Sequence, residues 1–452
     1  MSLEEEAPAA KLWTSASWPF ILSTLLLMTL IAFEFFAVTT VLPVVAADLG
    51  GTAWYSLAAA ATVSTGLIGM IVGGNWADRS GTSRPLTVGG ALFLGGVALC
   101  TLAPSMAAFI LGRLLQGIGG GVNSVVLYVL IAQLVPDDAR PKMFGLLSAA
   151  WVLPSMLGPV AAGALADLSS WRMVFAMVFA GSLAALSTLL WQSRQSPAVQ
   201  RSGTAVFGRR GLLAVLASAT LVMVHVGGQQ EPWLAAVVVP AGVLILALAA
   251  LRLLPAGTFR MRLGVPRFIG LRALLGAVGT ASEVYLVLYM QQHRDIAPSI
   301  AGLVIAVAAG GWAVGAWLQS RKPGEPGYDR RIIAAGCLMV LAGPVVNLLY
   351  VWHVAPMPAV FLASVATGAG FGLAYPRLTT ATLRSAAPEQ RGTASSSLQA
   401  GENMATSAFL ALTGIVLTLN LTSPWFGGLY VIMVCLATLT AAAAFGLKAS
   451  HR

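Results

Sequence analysis

The chain has 452 residues, 58% of them hydrophobic and only 9% charged, against roughly 25% charged in a soluble globular protein. So little charge cannot cover a soluble surface, which excludes ordinary soluble enzymes, disordered chains and nucleic-acid binders. The net charge of +10 therefore has to be read from where the charges fall along the chain rather than as the mark of an anionic partner.

A membrane-crossing helix needs about 20 mostly apolar residues. Runs of that kind predict spans at 18–44, 54–77, 85–103, 106–134, 141–166, 172–192 and 211–227. Seven more follow at 232–254, 266–291, 299–319, 331–352, 357–384, 392–418 and 424–447. Ahead of the first run, Glu4, Glu5 and Glu6 read as part of a solvated tail. That first run is too long for a signal peptide and has no small-residue cleavage pattern after it. Threading the chain back and forth puts 21 of the 26 Lys and Arg residues on the side of the N-terminus. Only Arg172 and Arg294 fall on the other side, and Arg113, Arg272 and Arg377 fall inside spans. Basic loops mark the cytoplasmic side, so the expectation is a multi-pass protein of a bacterial-type cell membrane with both termini cytoplasmic. Removing any one span would invert every later loop and destroy this asymmetry. Cys100, Cys337 and Cys435 sit in apolar runs without metal or disulfide spacing and read as small buried hydrophobes.

Two stretches read as copies. Gly117-Ile-Gly-Gly-Gly runs through Pro136-Asp-Asp-Ala-Arg140 into Leu147-Ser-Ala-Ala-Trp151. Gly368-Ala-Gly-Phe-Gly runs through Pro388-Glu-Gln-Arg391 into Ser396-Ser-Leu-Gln-Ala400. A second pair is Glu34 followed by Gly74-xxx-Asp78, and Glu283 followed by Gly315-xxx-Gln319. Internal repeats of this kind mark secondary transporters. The predicted fold is an all-α membrane protein of 14 transmembrane helices: two pseudo-symmetric six-helix bundles and an inserted two-helix hairpin. The divisions are a tail (1–17), an N-terminal bundle (18–192), a linker (193–210), the hairpin (211–254), a loop (255–265) and a C-terminal bundle (266–452).

Three local patterns carry mechanism. After the second span comes Gly74-Asn-Trp-Ala-Asp78-Arg79-Ser-Gly81-Thr-Ser-Arg84-Pro85. Gly74 is expected to allow close helix approach, and Asp78, at a helix end, to pair with a basic group or cap a neighbouring helix. The fourth span holds Arg113-Leu-Leu-Gln116-Gly117. An arginine inside a span costs at least a few kcal/mol and needs a partner or a wet cavity, unless it snorkels to the interface. The fifth span holds Gly158-Pro159-Val-Ala-Ala-Gly163, a kink with a flat contact surface. Together these resemble the loop, R-x-x-Q-G and antiporter motifs of the major facilitator superfamily, and of its fourteen-helix drug:proton antiporter branch. Trp171-Arg172 with Phe175 also fits. The sequence departs from the pattern at Thr82 and Ser83, where basic residues are usual, and at Pro154 and Ala162, where glycines are. The resemblance is carried by residues 30–180; the second half matches through the repeat alone. It implies two bundles rocking around a central cavity, a latch made of Gly74, Asp78, Arg79, Gly81 and Arg84, and Arg113 near a proton-coupling site.

Three carboxylates lie deep in spans: Glu34, Glu283 and Glu402. The first two fall near the bilayer midplane at about 1.5 Å per residue, each in the first helix of its bundle. Such a group can take a proton from one side and release it to the other, and when ionised it attracts a cation. The plainer reading is a structural acid bonded to a neighbouring helix. Arg272 lies near a helix end and reads as snorkelling. Arg377 follows Tyr375-Pro376, where a break can open the backbone toward the cavity. Trp151 and Trp312 read as pocket residues, with Phe36, Tyr128, Tyr285 and Tyr289 as weaker candidates. His225 and His353 end spans and read as interfacial.

The expected activity is proton-coupled export of amphipathic, cationic small molecules. Export of a lipid or of one specific metabolite is the alternative, and a non-transporting receptor or membrane enzyme a remote one. No metal set, catalytic triad or phosphate loop is present in the sequence, so no cofactor or metal is expected and the proton gradient is the energy source. Substrate, protons and lipid are the expected partners, without nucleic acid, for a monomer. One charge crossing about 150 mV releases roughly 3.4 kcal/mol, enough for a gradient of roughly 300-fold.

Overall fold

In lipid each span has to satisfy its own backbone groups, so every apolar run becomes a helix. The computed structural model describes residues 17–136, 139–193, 205–228, 231–321, 326–387, 390–419 and 423–446. Among these residues are fourteen α-helices. They are α1 (Trp18–Asp48), α2 (Tyr55–Ser80), α3 (Ser83–Thr101), α4 (Met106–Leu134), α5 (Arg140–Leu168), α6 (Trp171–Ser193) and α7 (Gly208–Gly227). Then come α8 (Pro232–Leu253), α9 (Val265–His293), α10 (Pro298–Ser320), α11 (Pro326–Val351), α12 (Met357–Ser385), α13 (Arg391–Leu419) and α14 (Ser423–Phe445). Twelve of them are long and apolar enough to cross a membrane. The exceptions are α7, whose apolar part is the shorter Gly211–Gly227, and α13, which is polar in its first half. The tail up to residue 16, most of the linker (194–204), Asp137, Asp138, Lys322, Pro388, Glu389, Lys448 and Arg452 lie outside the described residues.

The two bundles repeat one packing scheme. In the first, α1 lies on α5 and α6, α2 and α3 on α4, and α3 on α6. In the second, α9 lies on α13 and α14, α10 and α11 on α12, and α11 on α14. The closest pairs are α2 with α4 and α10 with α12, because glycines interleave on both helices. A Cβ on Gly69 or Gly121 would run into the backbone opposite, and so would one on Gly311 or Gly368. Lipid supplies no hydrophobic drive between helices, so close van der Waals contact through small residues has to hold them together. α4 starts on a side-chain cap, with Ser105 Oγ accepting from Ala108 N at 3.3 Å. α2 stops at Gly81, whose φ of +79° suits glycine.

Helix ends that carry the clustered basic residues define a basic face, and the opposite ends a far face. Contacts between the bundles concentrate toward the far face. The Ser299 amide donates to Asp167 Oδ2 at 3.2 Å. Gln291 Nε2 donates to the Thr40 carbonyl at 2.8 Å, and Tyr55 Oη to the Val284 carbonyl at 2.8 Å. A Cβ on Gly163 would sit 2.5 Å from Ser299 Cα, and one on Gly302 would strike the Pro159 backbone. The inserted pair α7–α8 packs on α2 and α13, one helix from each bundle. His225 of α7 is buried, with Nδ1 2.9 Å from the Leu221 carbonyl, and is therefore a packed helix residue rather than an interfacial one. Cys100 and Cys337 are buried, whereas Cys435 is exposed on α14.

Candidate functional site

The charges inside the spans sort themselves by partner. In the N-terminal bundle Glu34 of α1 and Arg113 of α4 form an ion pair with side-chain exposures of 7% and 3%. Arg113 is also held by Thr62 Oγ1 at 2.9 Å, Gln116 Oε1 at 3.3 Å and the Ala58 carbonyl at 3.5 Å. A buried pair is tolerable only with such additional bonds. Arg113 thus points inward to an acid rather than out to the interface.

In the C-terminal bundle the pattern is different. Arg272 Nε of α9 donates to Glu402 Oε2 of α13 at 2.8 Å. Arg272 Nη1 donates to Thr379 Oγ1 at 2.7 Å, and Tyr375 Oη to Glu402 Oε1 at 2.9 Å. The guanidinium carbon lies 4.6 Å from the Tyr375 ring centroid, in cation–π range. Arg272 therefore does not snorkel, and Glu402 is engaged. A glycine makes this possible, since a Cβ on Gly276 would press on Glu402 Cγ at 2.8 Å and Tyr375 Oη at 3.0 Å. Arg272, Gly276, Gly279 and Glu283 recur every three or four residues and share one face of α9. At the end of that face Glu283 is partly exposed. It makes no hydrogen bond or ion pair with the described residues. Alongside, Trp312 stacks on Phe371 at 5.6 Å and meets Tyr375 edge-on at 5.3 Å. Phe371 fills the notch left by Gly279.

Several sequence candidates fall elsewhere. Tyr285 and Tyr289 are buried core residues, not pocket lining: Tyr285 Oη bonds Thr413 Oγ1 at 3.0 Å, and Tyr289 Oη the Val351 carbonyl at 3.3 Å. Successive turns of α9 place them on its packed side. Arg377 does not open to a cavity. Its Nη1 reaches Asp329 Oδ1 at 2.7 Å, another nitrogen the Gln319 carbonyl, and Arg384 shares Asp329 at 3.3 Å. Pro376 leaves α12 continuous through Ser385, so the side chain stays in the packed basic end of the bundle. Asp329 is the functional-looking acid that sequence reading missed; it directly precedes Arg330 and Arg331 at the start of α11, which was the available signal. Trp312 is 42% exposed and Tyr128 48%, the latter stacked on Phe144 at 5.8 Å. Phe36 and Trp151 meet edge-on at 6.3 Å, with Phe35 against both.

The loop and fifth-helix patterns also resolve residue by residue. Gly74 is not the close-approach position: a Cβ there would meet Val125 Cγ1 at an ordinary 3.5 Å, whereas Gly73 would meet Val122 Cα at 2.9 Å. One residue is 100° of helix, which turns Gly74 away from α4. Asp78, Arg79 and Arg84 are exposed and form no ion pair with described residues. Gly158 lies against Phe33 of α1, and Gly163 and Pro159 against α10 of the other bundle.

The sequence profile of the Major Facilitator Superfamily matches residues 24–328. An uncharacterised MFS-type transporter of Mycobacterium tuberculosis is 29% identical over 404 residues, covering 83% of this chain and 56% of that protein. The chain thus spans little more than half the length of that relative. A probable multidrug-efflux transporter of the same organism is 26% identical over 407 residues, covering 84% of this chain and 83% of that one. The crystal structure of peptide transporter POT in complex with sulfate is similar at a TM-score of 0.69 and 17% identity, over 95% of this chain and 96% of that one. That likeness bears on the fold alone.

Proposed function

Because the chain belongs to the major facilitator superfamily, we propose that it is a proton-coupled exporter of amphipathic, cationic small molecules, working by alternating access. One observation carries this reading. Of the three carboxylates inside spans, Glu34 is paired with Arg113 and Glu402 with Arg272, and Glu283 has no counter-ion. An intramembrane acid without a partner is a proton or ligand site by default. One turn away along α9, against Gly279, the Trp312–Phe371 stack offers an apolar, polarisable wall on which a flat or lipophilic cation can rest. A cation and a proton competing for one carboxylate is the minimal arrangement for exchange. The efflux relative supports export as the direction.

With the basic face taken as cytoplasmic, the contacts between bundles lie on the outer side, and substrate enters from within. Glu34–Arg113 then braces the first bundle near the coupling site, and Asp78 with Arg79, Gly81 and Arg84 serves as a latch for the opposite state. The test uses purified protein in vesicles. An imposed pH gradient should drive tetraphenylphosphonium against its gradient, and Glu283→Gln should abolish that movement. Transport that persists after the gradient is collapsed, or an unchanged Glu283→Gln variant, removes the mechanism.

A further inference from the structure

The charge balance around Glu283 carries a consequence for substrate valence. The elements packed on α9 contribute few charged groups at this level. α13 supplies Glu402 and α1 supplies Glu34, which is neutralised by Arg113 of α4. On α12, Arg377 and Arg384 are turned to Asp329 of α11 at the basic end. α10 and α14 carry no charged residue among those described, and α14 presents only the Tyr430 hydroxyl, bonded to the Ser282 carbonyl. Tyr375 completes the set from α12. The remaining acids beside the aromatic stack are thus Glu402 and Glu283, and Arg272 cancels the first.

The way Arg272 does so is informative. Its guanidinium touches a carboxylate at 2.8 Å, a hydroxyl at 2.7 Å and a tyrosine face at 4.6 Å. Those are the groups that hold a lipophilic cation. Arg272 therefore occupies, as a tethered ion, a cage that would otherwise accept a second positive charge. We infer that Arg272 is a specificity-determining residue that restricts the site to monovalent cations and sets the exchange at one proton per cation. This rests on the reading of Glu283 as the exchange site. With Glu283 ionised the site carries one negative charge, and with it protonated none. One monocation and one proton are therefore equivalent in charge, and as the cation leaves a proton arrives on the Glu283 carboxylate. The cycle moves no net charge, so the membrane potential does no work on it, and each pH unit supports about a tenfold gradient. A dication leaves one uncompensated charge in a low-dielectric site.

Full-length protein in vesicles, with potential clamped by potassium and valinomycin, tests this with two probes: tetraphenylphosphonium and an alkane-linked bis-triphenylphosphonium. Wild type should move the monocation at a rate independent of the clamped potential. It should move the dication at least about fiftyfold more slowly, the factor set by one unpaired charge inside the membrane. Arg272→Gln, which frees Glu402, should gain dication transport, and Arg272→Lys should restore the wild-type preference. A potential-sensitive monocation flux, or equal dication transport by wild type, overturns the inference while leaving proton coupling at Glu283 intact. An Arg272→Gln protein that binds tetraphenylphosphonium and still rejects the dication overturns the role of Arg272. Should that variant fail to fold, the wild-type ratio of monocation to dication transport decides, and a ratio near one overturns the restriction to monovalent cations. Loss of all pH-driven movement in wild type instead removes both readings.

Discussion

The two bundles share a packing scheme yet handle their buried charges in opposite ways. Glu34 and Glu283 occupy matching places in α1 and α9. Glu34 is locked to an arginine that is itself held by three further groups. Glu283 lies one turn beyond Gly279, against which Phe371 of the aromatic stack packs, and makes no ion pair with the described residues. The difference arises one helix away: α4 places Arg113 at the acid, whereas in the second bundle Arg272 stands on α9 itself and turns to α13, and Arg377 of α12 turns to Asp329. Pseudo-symmetry therefore repeats a scaffold, and the chemistry is set by which helix carries the counter-ion.

That contrast is most directly broken by exchanging each acid for its amide. Glu34→Gln strands a buried guanidinium and should destabilise the protein by about 3 kcal/mol, read as a lowered unfolding temperature in detergent. Glu283→Gln strands nothing and should leave that temperature unchanged while abolishing pH-driven transport. Equal stability losses in the two variants would erase the distinction between brace and exchange site. A smaller effect is expected where the bundles touch. Gly302→Leu forces a side chain onto the Pro159 backbone, and overpacking of this kind costs about 1–3 kcal/mol. It should raise thiol labelling of a cysteine placed at the far ends of α5 or α10, and unchanged labelling would mean the contact is not a gate. Smaller again is Trp312→Ala, which removes one stacked ring worth about 0.5–1.5 kcal/mol. Tetraphenylphosphonium binding should weaken by up to about tenfold, and the matching Trp151→Ala change on the other bundle should weaken it less.

The helices and their order were legible because span length and hydropathy act locally. The largest boundary difference is five residues, at the start of α11. Side-chain partners were not legible, because they depend on which faces meet. Arg272 read as snorkelling on its distance from a helix end, but Gly276 lets α12 and α13 close on α9 and brings Glu402 within reach. Tyr285 and Tyr289 share a helix with Glu283 and differ from it only in angular position, which an apolar segment without a polar stripe does not disclose. The misplaced role of Gly74 has the same origin. The Gly66, Gly69 and Gly73 spacing, set against Gly117 and Gly121, held the signal for the true contact face.

The latch on the basic face tests the same contrast at the scale of the whole bundle. Asp78 ends α2 beside Arg79 and the left-handed Gly81, and in this structure it is exposed and unpaired among the described residues. Among the described residues the hydrogen bonds between the bundles lie toward the far face, and Asp78 secures none on the basic face. A latch of this kind contributes only when the basic ends come together, and an exposed pair is worth about 0.2–1 kcal/mol. Asp78→Asn should therefore slow turnover by no more than about fivefold, with tetraphenylphosphonium affinity unchanged, because the binding groups of α9, α12 and α13 are untouched. The slowing should fade at high salt, where surface charge is screened. A variant with weakened binding and normal turnover would assign Asp78 to the substrate path, and a salt-independent defect would assign it to the folding of the α2–α3 turn.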